Sequence, residues 1–222
     1  MAKNYHLDFN RNKRLGFPEV VYGTNKDNES LLNVTRALLK KNNHVLITRL
    51  QPDKHKFLAS YYSETEYDSV SGACIIGRKK KEPAAKRVAI LSGGTSDEYI
   101  VNEIYYTLKY LNIGSTRFQD VGISGIHRVL NIVDKLCSFD VLIVVAGFEG
   151  ALPTVVGGLV PCPIIAVPAS IGYGVASNGK AALNSMLSSC ANGLTVVNID
   201  NGYGAALAAY RIIKGRKIRF NK

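Results

Sequence analysis

Residues 141–160 read VLIVVAGFEGALPTVVGGLV. The run opens with Val141, Leu142, Ile143, Val144 and Val145, directly after Asp140. Five consecutive apolar residues of this kind predict a strand buried on both faces, the usual state of a parallel sheet. Ala146 and Gly147 end it, and their small size permits a sharp turn and the close approach of a ligand. Glu149 follows at once. Gly150, Pro153, Gly157 and Gly158 then mark a tight turn and a small-residue helix over 151–159. In open α/β sheets ligands sit outside the carboxyl ends of strands, so Glu149 falls where such a fold does its chemistry.

The same pattern extends in both directions. Upstream, 88–91 (VAIL) predicts a strand, 92–97 (SGGTSD) a loop and 98–111 a helix. A strand within 114–121 leads to Gly122, and a helix covers 126–137. Downstream come a strand at 164–167 stopped by Pro168, a helix at 179–191, a strand at 194–199 and a closing helix at 204–214. Strands separated by helices imply right-handed crossovers and a parallel sheet. The expected class is therefore α/β, a flavodoxin-like three-layer parallel sheet, over 86–222.

Residues 1–80 read differently, as a small α+β domain. Residues 31–41 (LLNVTRALLKK) have helical spacing, with Asn28 or Ser30 as the expected cap. Residues 45–50 (VLITRL) predict a strand, and 61–62 with 67–76 one or two more, ending at Gly77. The linker at 79–86, with Pro83 and a charge run, sets the boundary.

Composition narrows the function. The chain has 222 residues, of which 46% are hydrophobic, enough for a packed core. No apolar run reaches the ~18 residues of a membrane span. The start, MAKNYHLDFNRNKR, has no signal-peptide core, so a soluble cytoplasmic protein without membrane attachment is expected. Cys74, Cys137, Cys162 and Cys190 show no CxxC spacing and are expected to be free thiols. The net charge of +11 indicates either an anionic small-molecule partner or simply a basic, solvated surface. Much of the excess lies in 78–87 and 211–222. Neither stretch interleaves aromatics with base-reading polar groups, so nucleic acid is not an expected partner.

Three polar, glycine-rich loops fall at successive strand ends. In the first, Ser92, Gly93, Gly94, Thr95, Ser96 and Asp97 precede a helix, where an anion is favoured; Ser96 or Asp97 could equally serve only as a cap. The GxxxxGK[ST] and GxGxxG patterns are absent. The second is 169–178 (ASIGYGVASN), with Ser170, Gly172, Tyr173 and Gly174; the third contains Asn198, Asp200, Asn201, Gly202 and Gly204. Their convergence is hard to ascribe to packing alone. Glu149, with Ala146 and Gly147 beside it, is a candidate general base if the fold buries it, or else a partner for nearby backbone N–H groups. Composition alone singles out no nucleophile among the cysteines. Cys190 sits near the C-terminal end of a predicted helix, which offers a thiol no activation.

These residues resemble a family. SGGTSD and AGFEGALPTVVGGL are similar to the phosphate loop and the AGxAAHLPG segment of the aminoimidazole ribonucleotide carboxymutase (PurE) fold. The histidine of that segment is absent; Glu149-Gly150 stand near its place. GFEGALP, VPASIGYG, LSSCANG and NIDNGYGAA, with Asp8, Arg11, Arg14, Gly16, Pro18, Glu19, Lys26 and Thr48-Arg49, more closely resemble the pyridinium-3,5-biscarboxylic acid mononucleotide synthase family (LarB) of nickel-pincer cofactor synthesis.

That resemblance implies carboxylation of the pyridinium ring of nicotinic acid adenine dinucleotide by carbon dioxide or bicarbonate, and hydrolysis of its phosphoanhydride to release AMP. Cys190 would add to the ring and Glu149 would act as the acidic catalytic residue, the two sharing one cavity. The three loops would hold the substrate. The N-terminal domain, with Arg11, Arg14 and Arg49, would face the second phosphate and the adenylate. Mg²⁺ is implied without identifiable ligands, and a homo-oligomer, from dimer to octamer, is expected. The competing readings are a ribonucleotide mutase of purine synthesis and a non-catalytic nucleotide-binding module.

Overall fold

The computed structural model describes residues 6–77 and 83–215. The chain divides into two compact units, Met1–Lys81 and Glu82–Lys222. The basic stretch at 78–82 and the tail at 216–222 lie outside the described residues.

The first unit contains, in order, α1 (Arg11–Leu15), β1 (Val21–Tyr22), α2 (Asn28–Asn42), β2 (His44–Thr48), α3 (Pro52–Ala59), β3 (Thr65–Asp68) and β4 (Ala73–Gly77). Its sheet runs β1-β2-β4-β3, with β1–β2 parallel and the other pairs antiparallel. The cap of α2 is Asp27, one residue before the expected Asn28. Its carboxylate accepts the Ser30 N–H at 2.8 Å, and Asn43 in the left-handed region closes the helix. Helices α1 and α3 escaped the periodicity reading because each is short; α1 buries no side chain and α3 only Leu58. Tyr61 and Tyr62 are not in a strand. The core gathers Leu31, Leu38, Val45, Ile47, Leu58, Cys74 and Ile76. There burial raises the Cys74 thiol to about 12, which keeps it protonated and inert.

The second unit contains β5 (Lys86–Ser92), α4 (Glu98–Tyr110), β6 (Gly114–Phe118), α5 (Ile126–Leu130), α6 (Val133–Leu136), β7 (Val141–Ala146), α7 (Leu152–Gly157), β8 (Ile164–Pro168), α8 (Lys180–Leu187), β9 (Leu194–Val196) and α9 (Gly202–Gly215). The five strands are parallel, in the order β6-β5-β7-β8-β9. This is the flavodoxin-like α/β arrangement. All six residues of β7 are buried. Its alternate residues serve two cores. Leu142, Val144 and Ala146 meet Leu152, Val156, Ala182 and Met186, while Ile143 and Val145 point to the face covered by α9. Small residues Ala205, Ala206 and Ala209, all fully buried, let α9 lie close beside α4.

Two expected helices differ. The segment 126–137 is two short helices, α5 and α6, broken at Asn131-Ile132. The helix expected over 179–191 ends at Leu187. Ser188 turns its hydroxyl back to the Asn184 carbonyl at 2.7 Å, a bond that competes with helix propagation. Cys190 therefore lies in a loop beyond the helix.

Candidate active site

Strand order places the topological switch point between β5 and β7, where the chain's winding direction reverses and α/β folds bind their ligands. A cavity of about 330 Å³ lies there. Its walls are Gly93, Gly94, Ser96 and Asp97 after β5, Gly122–Ser124 after β6, Ala146–Glu149 with Ala151 and Leu152 after β7, and Ile171 after β8.

Glycine makes the cavity. A Cβ on Gly122 would collide with the Gly93 carbonyl, and one on Gly147 would sit 2.6 Å from the Ile171 carbonyl oxygen. That carbonyl accepts the Phe148 N–H at 2.9 Å, fixing the loop that carries Glu149. Phe148 itself has φ of 52°, an uncommon conformation for a bulky residue.

The charged residues among those lining the cavity are Asp97 and Glu149, both acidic. Asp97 is 3% exposed and accepts the Gly94 N–H at 3.0 Å. Burial pushes its carboxyl above the ordinary range; the Gly94 and Gly93 N–H groups pull it back, and nearby Asp200 adds to the rise. Glu149 is exposed, so of the two readings left open by the sequence the one that required a buried carboxylate is not met. Its loop leaves the sheet after Gly147 and carries the side chain to the mouth. The sheltered acid of this site is thus Asp97.

The other expected residues divide. Gly93, Ser96, Asp97, Ala146, Gly147 and Glu149 are brought together at the cavity. Ser92 is fully buried at the end of β5, its hydroxyl without a partner among the described residues, and Thr95 is exposed. Ser170 and Asp200 lie outside the lining set and form a joint between loops. The Tyr99 hydroxyl donates to Asp200 Oδ1 at 2.5 Å and lies 3.2 Å from Ser170 Oγ; the Ser170 N–H donates to the same Oδ1 at 2.8 Å. Burial, followed by the bond to Asp200, raises the Tyr99 hydroxyl to about 12, so it stays a donor. Asn198 accepts its neighbour's N–H, and Asn201 accepts the Gly204 N–H in the first turn of α9; both bonds are structural. Tyr173 is 80% exposed between Gly172 and Gly174, both at positive φ.

The cavity also uses Gly122, Ile123, Ser124, Phe148 and Ile171, which sequence reasoning did not select. The stretch Gly122-Ile123-Ser124-Gly125 after β6 had the same glycine-and-hydroxyl composition that marked the loop after β5, and was the available signal.

In the first unit, Arg14 forms a two-pronged pair with Asp8 at 2.9 and 2.8 Å, and the Asp8 N–H donates to Glu19 at 2.7 Å. Arg11 lies over the Phe17 ring at 5.4 Å, and Gly16 takes the left-handed turn that ends α1. Arg49 adopts φ of 52°. Much of this motif is thus tied within its own unit.

Cys190 is exposed and does not line the cavity. It precedes β9, whose first residue, Leu194, pairs with Ile164 at the start of β8. Glu149 follows the end of β7, where Ala146 pairs with Pro168 at the end of β8. The Ser189 hydroxyl next to Cys190 lies 2.7 Å from Thr154 Oγ1 on α7, so the thiol sits alongside α7 and not in the cavity, and the expectation that Cys190 and Glu149 share one cavity is corrected. The cause is α8, which starts beyond β8 and runs back the length of the sheet.

Among the described residues no cluster of three or more His, Cys, Asp or Glu side chains is placed to hold a metal ion. No helix among them is long and apolar enough to cross a membrane.

An α/β domain with its cleft at this switch point, between a glycine-hydroxyl loop and an acidic loop, corresponds to the AIR carboxylase family, which matches residues 87–221. Residues 2–79 match the LarB/PurE-like N-terminal domain. The chain belongs to the LarB family, in which that N-terminal domain precedes a PurE-like carboxylase-type domain. An uncharacterized protein of Methanocaldococcus jannaschii is 38% identical over 216 residues, covering 94% of this chain and 83% of that one. The N5-carboxyaminoimidazole ribonucleotide mutase of the same organism is 29% identical over 129 residues, covering 57% of this chain and 78% of the mutase. The crystal structure of Treponema denticola PurE superposes with a TM-score of 0.44 at 20% identity, over 60% of this chain and 94% of that one.

Proposed function

We propose that this protein carboxylates the pyridinium ring of nicotinic acid adenine dinucleotide and hydrolyses the phosphoanhydride. The products are pyridinium-3,5-biscarboxylate mononucleotide and AMP, the opening step of nickel-pincer cofactor synthesis. One observation carries the reading. On a chain of net charge +11, the charged residues lining the cavity are two acids. Such a cavity favours a cationic ring, with phosphates met by backbone N–H groups of the glycine loop. The ribonucleotide of a purine-type mutase offers no such cation.

The electron-poor ring does not attack carbon dioxide unaided. A thiolate adds to a ring carbon and creates a C–S bond, leaving a dihydropyridine with an enamine-like carbon. That carbon attacks carbon dioxide and forms the C–C bond. Glu149 takes the proton from the carboxylated carbon; the electron pair reforms the aromatic ring and expels the thiolate. Water then cleaves the phosphoanhydride. Mg²⁺, brought in with the dinucleotide, would lower the charge on its phosphates during this cleavage.

The thiol is Cys190 of a second copy. A site that takes Glu149 from one chain and Cys190 from another is built by a homo-oligomer. The test uses two variants, Cys190→Ala and Glu149→Gln, incubated with the dinucleotide, bicarbonate and Mg²⁺. Each alone is inactive. Unfolded and refolded together in equal amounts, they recover about one quarter of wild-type turnover, because random pairing of chains restores that share of sites. No AMP and no heavier nucleotide from the wild type would end this reading. A fully active Cys190→Ala would remove the thiolate step.

A further inference from the structure

Phe148 and Tyr173 form a pair that the proposed chemistry leaves unused. Phe148 lines the cavity and is 43% exposed. Tyr173 is 80% exposed. Their ring centroids are 5.5 Å apart and their planes meet at 90°. Two large aromatic side chains left this open are not there to fill a core. Phe148 is also held at a φ of 52°, a conformation that places its ring at the mouth beside Glu149 and that the surrounding loop maintains through the Phe148 N–H bond to Ile171. Tyr173 stands between two positive-φ glycines, so its placement too is set by the backbone.

Perpendicular rings make a corner. A flat ligand ring lying on one face meets the other ring at a right angle, so the corner fixes both the plane and the lateral position of the guest. Aromatic faces carry negative charge, which attracts a cationic ring over a neutral ring of the same shape. The adjacent Glu149 carboxylate adds to that preference.

We propose that Phe148 and Tyr173 are the specificity-determining residues of the site: they form an aromatic corner that selects a positively charged, planar nitrogen heterocycle and orients it toward Glu149. The proposal rests on the pyridinium reading of the function but concerns recognition rather than chemistry.

The test measures binding by calorimetry on the full-length protein. The probes are N-methylpyridinium-3-carboxylate, its uncharged-ring counterpart pyridine-3-carboxylate, and AMP. Wild type should prefer the cationic ring over the uncharged one. Phe148→Leu and Tyr173→Leu should each weaken the cationic probe by roughly threefold to thirtyfold. They should leave AMP unchanged, which also certifies that the variants are folded. Phe148→Tyr and Tyr173→Phe, which keep the rings, should restore the affinity. Equal affinity of wild type and Leu variants for the cationic probe, or no preference for ring charge, overturns the corner. Turnover of the dinucleotide with unaltered KM in both Leu variants also overturns it while leaving the proposed reaction intact. Loss of cation binding in the Leu variants of a protein that never turns over the dinucleotide sustains the corner and defeats the reaction.

Discussion

Asp97 holds a carboxyl group where water barely reaches. Its pKa is raised chiefly by burial, so the folded chain binds a proton there more readily than the unfolded chain does. The sign follows. As pH rises through the range where the unfolded Asp97 is ionised but the folded one is still protonated, the folded state loses stability relative to the unfolded. Asp97→Asn keeps an acceptor for the Gly94 N–H and has no charge to bury. It should melt higher than wild type at pH 7, with the gain shrinking as pH falls toward 4, as read by calorimetric melting across pH. The same variant should lose nucleotide affinity or turnover if the acid serves the site, a trade common where function keeps a destabilising group. Sequence marked Asp97 as a binding residue or a cap. It did not reveal that this acid, rather than Glu149, would be the buried one. A residue's depth depends on how the loops beyond the strand fold over it, and no local pattern encodes that.

The loops after β5, β8 and β9 are joined by one hydroxyl. Tyr99, in the first turn of α4, reaches Asp200 and Ser170. Tyr99→Phe removes the bond to Asp200 Oδ1, which keeps the Ser170 N–H, at a cost of about 1.5–3 kcal/mol, the range for a hydrogen bond to a charged group. Hydrogen exchange should quicken at 169–174 and 198–201 and stay slow in β5 and β7, which are held by their own ladders. Unchanged exchange in those loops would show that the joint carries no load. At this scale sequence was a good guide to type and a poor guide to ends. The apolar runs of β5, β7 and β8 became strands because burial on both faces demands it, while the edge strands β6 and β9 are only partly buried. The ends shifted where side chains compete with the backbone, as Ser188 does at the close of α8. The helix cap moved to Asp27 because an aspartate there reaches the Ser30 N–H. The three polar loops were visible in advance. That the first of them would line the cavity most fully, the second would add only Ile171, and the loop after β6 would join them was decided by strand order.

Strand order also separates the two groups on which the proposed chemistry depends. Helix α8 carries the chain from the carboxyl end of β8 to the amino end of β9, and Cys190 goes with it. A site shared between copies makes activity depend on association. Specific activity should therefore fall on dilution below the dissociation constant of the oligomer, in step with a fall in mass seen by light scattering or sedimentation. Constant specific activity over a range in which the mass halves would place the whole reaction in one chain.

Cys190 lies in the loop before β9, outside the cavity that Glu149 lines. Under the proposed chemistry a newly made chain is silent until it meets a sibling, and its soft nucleophile never faces a cationic dinucleotide alone. Output then climbs more steeply than expression level when chains are scarce, so a cell that lowers synthesis of this protein modestly would curtail the product disproportionately.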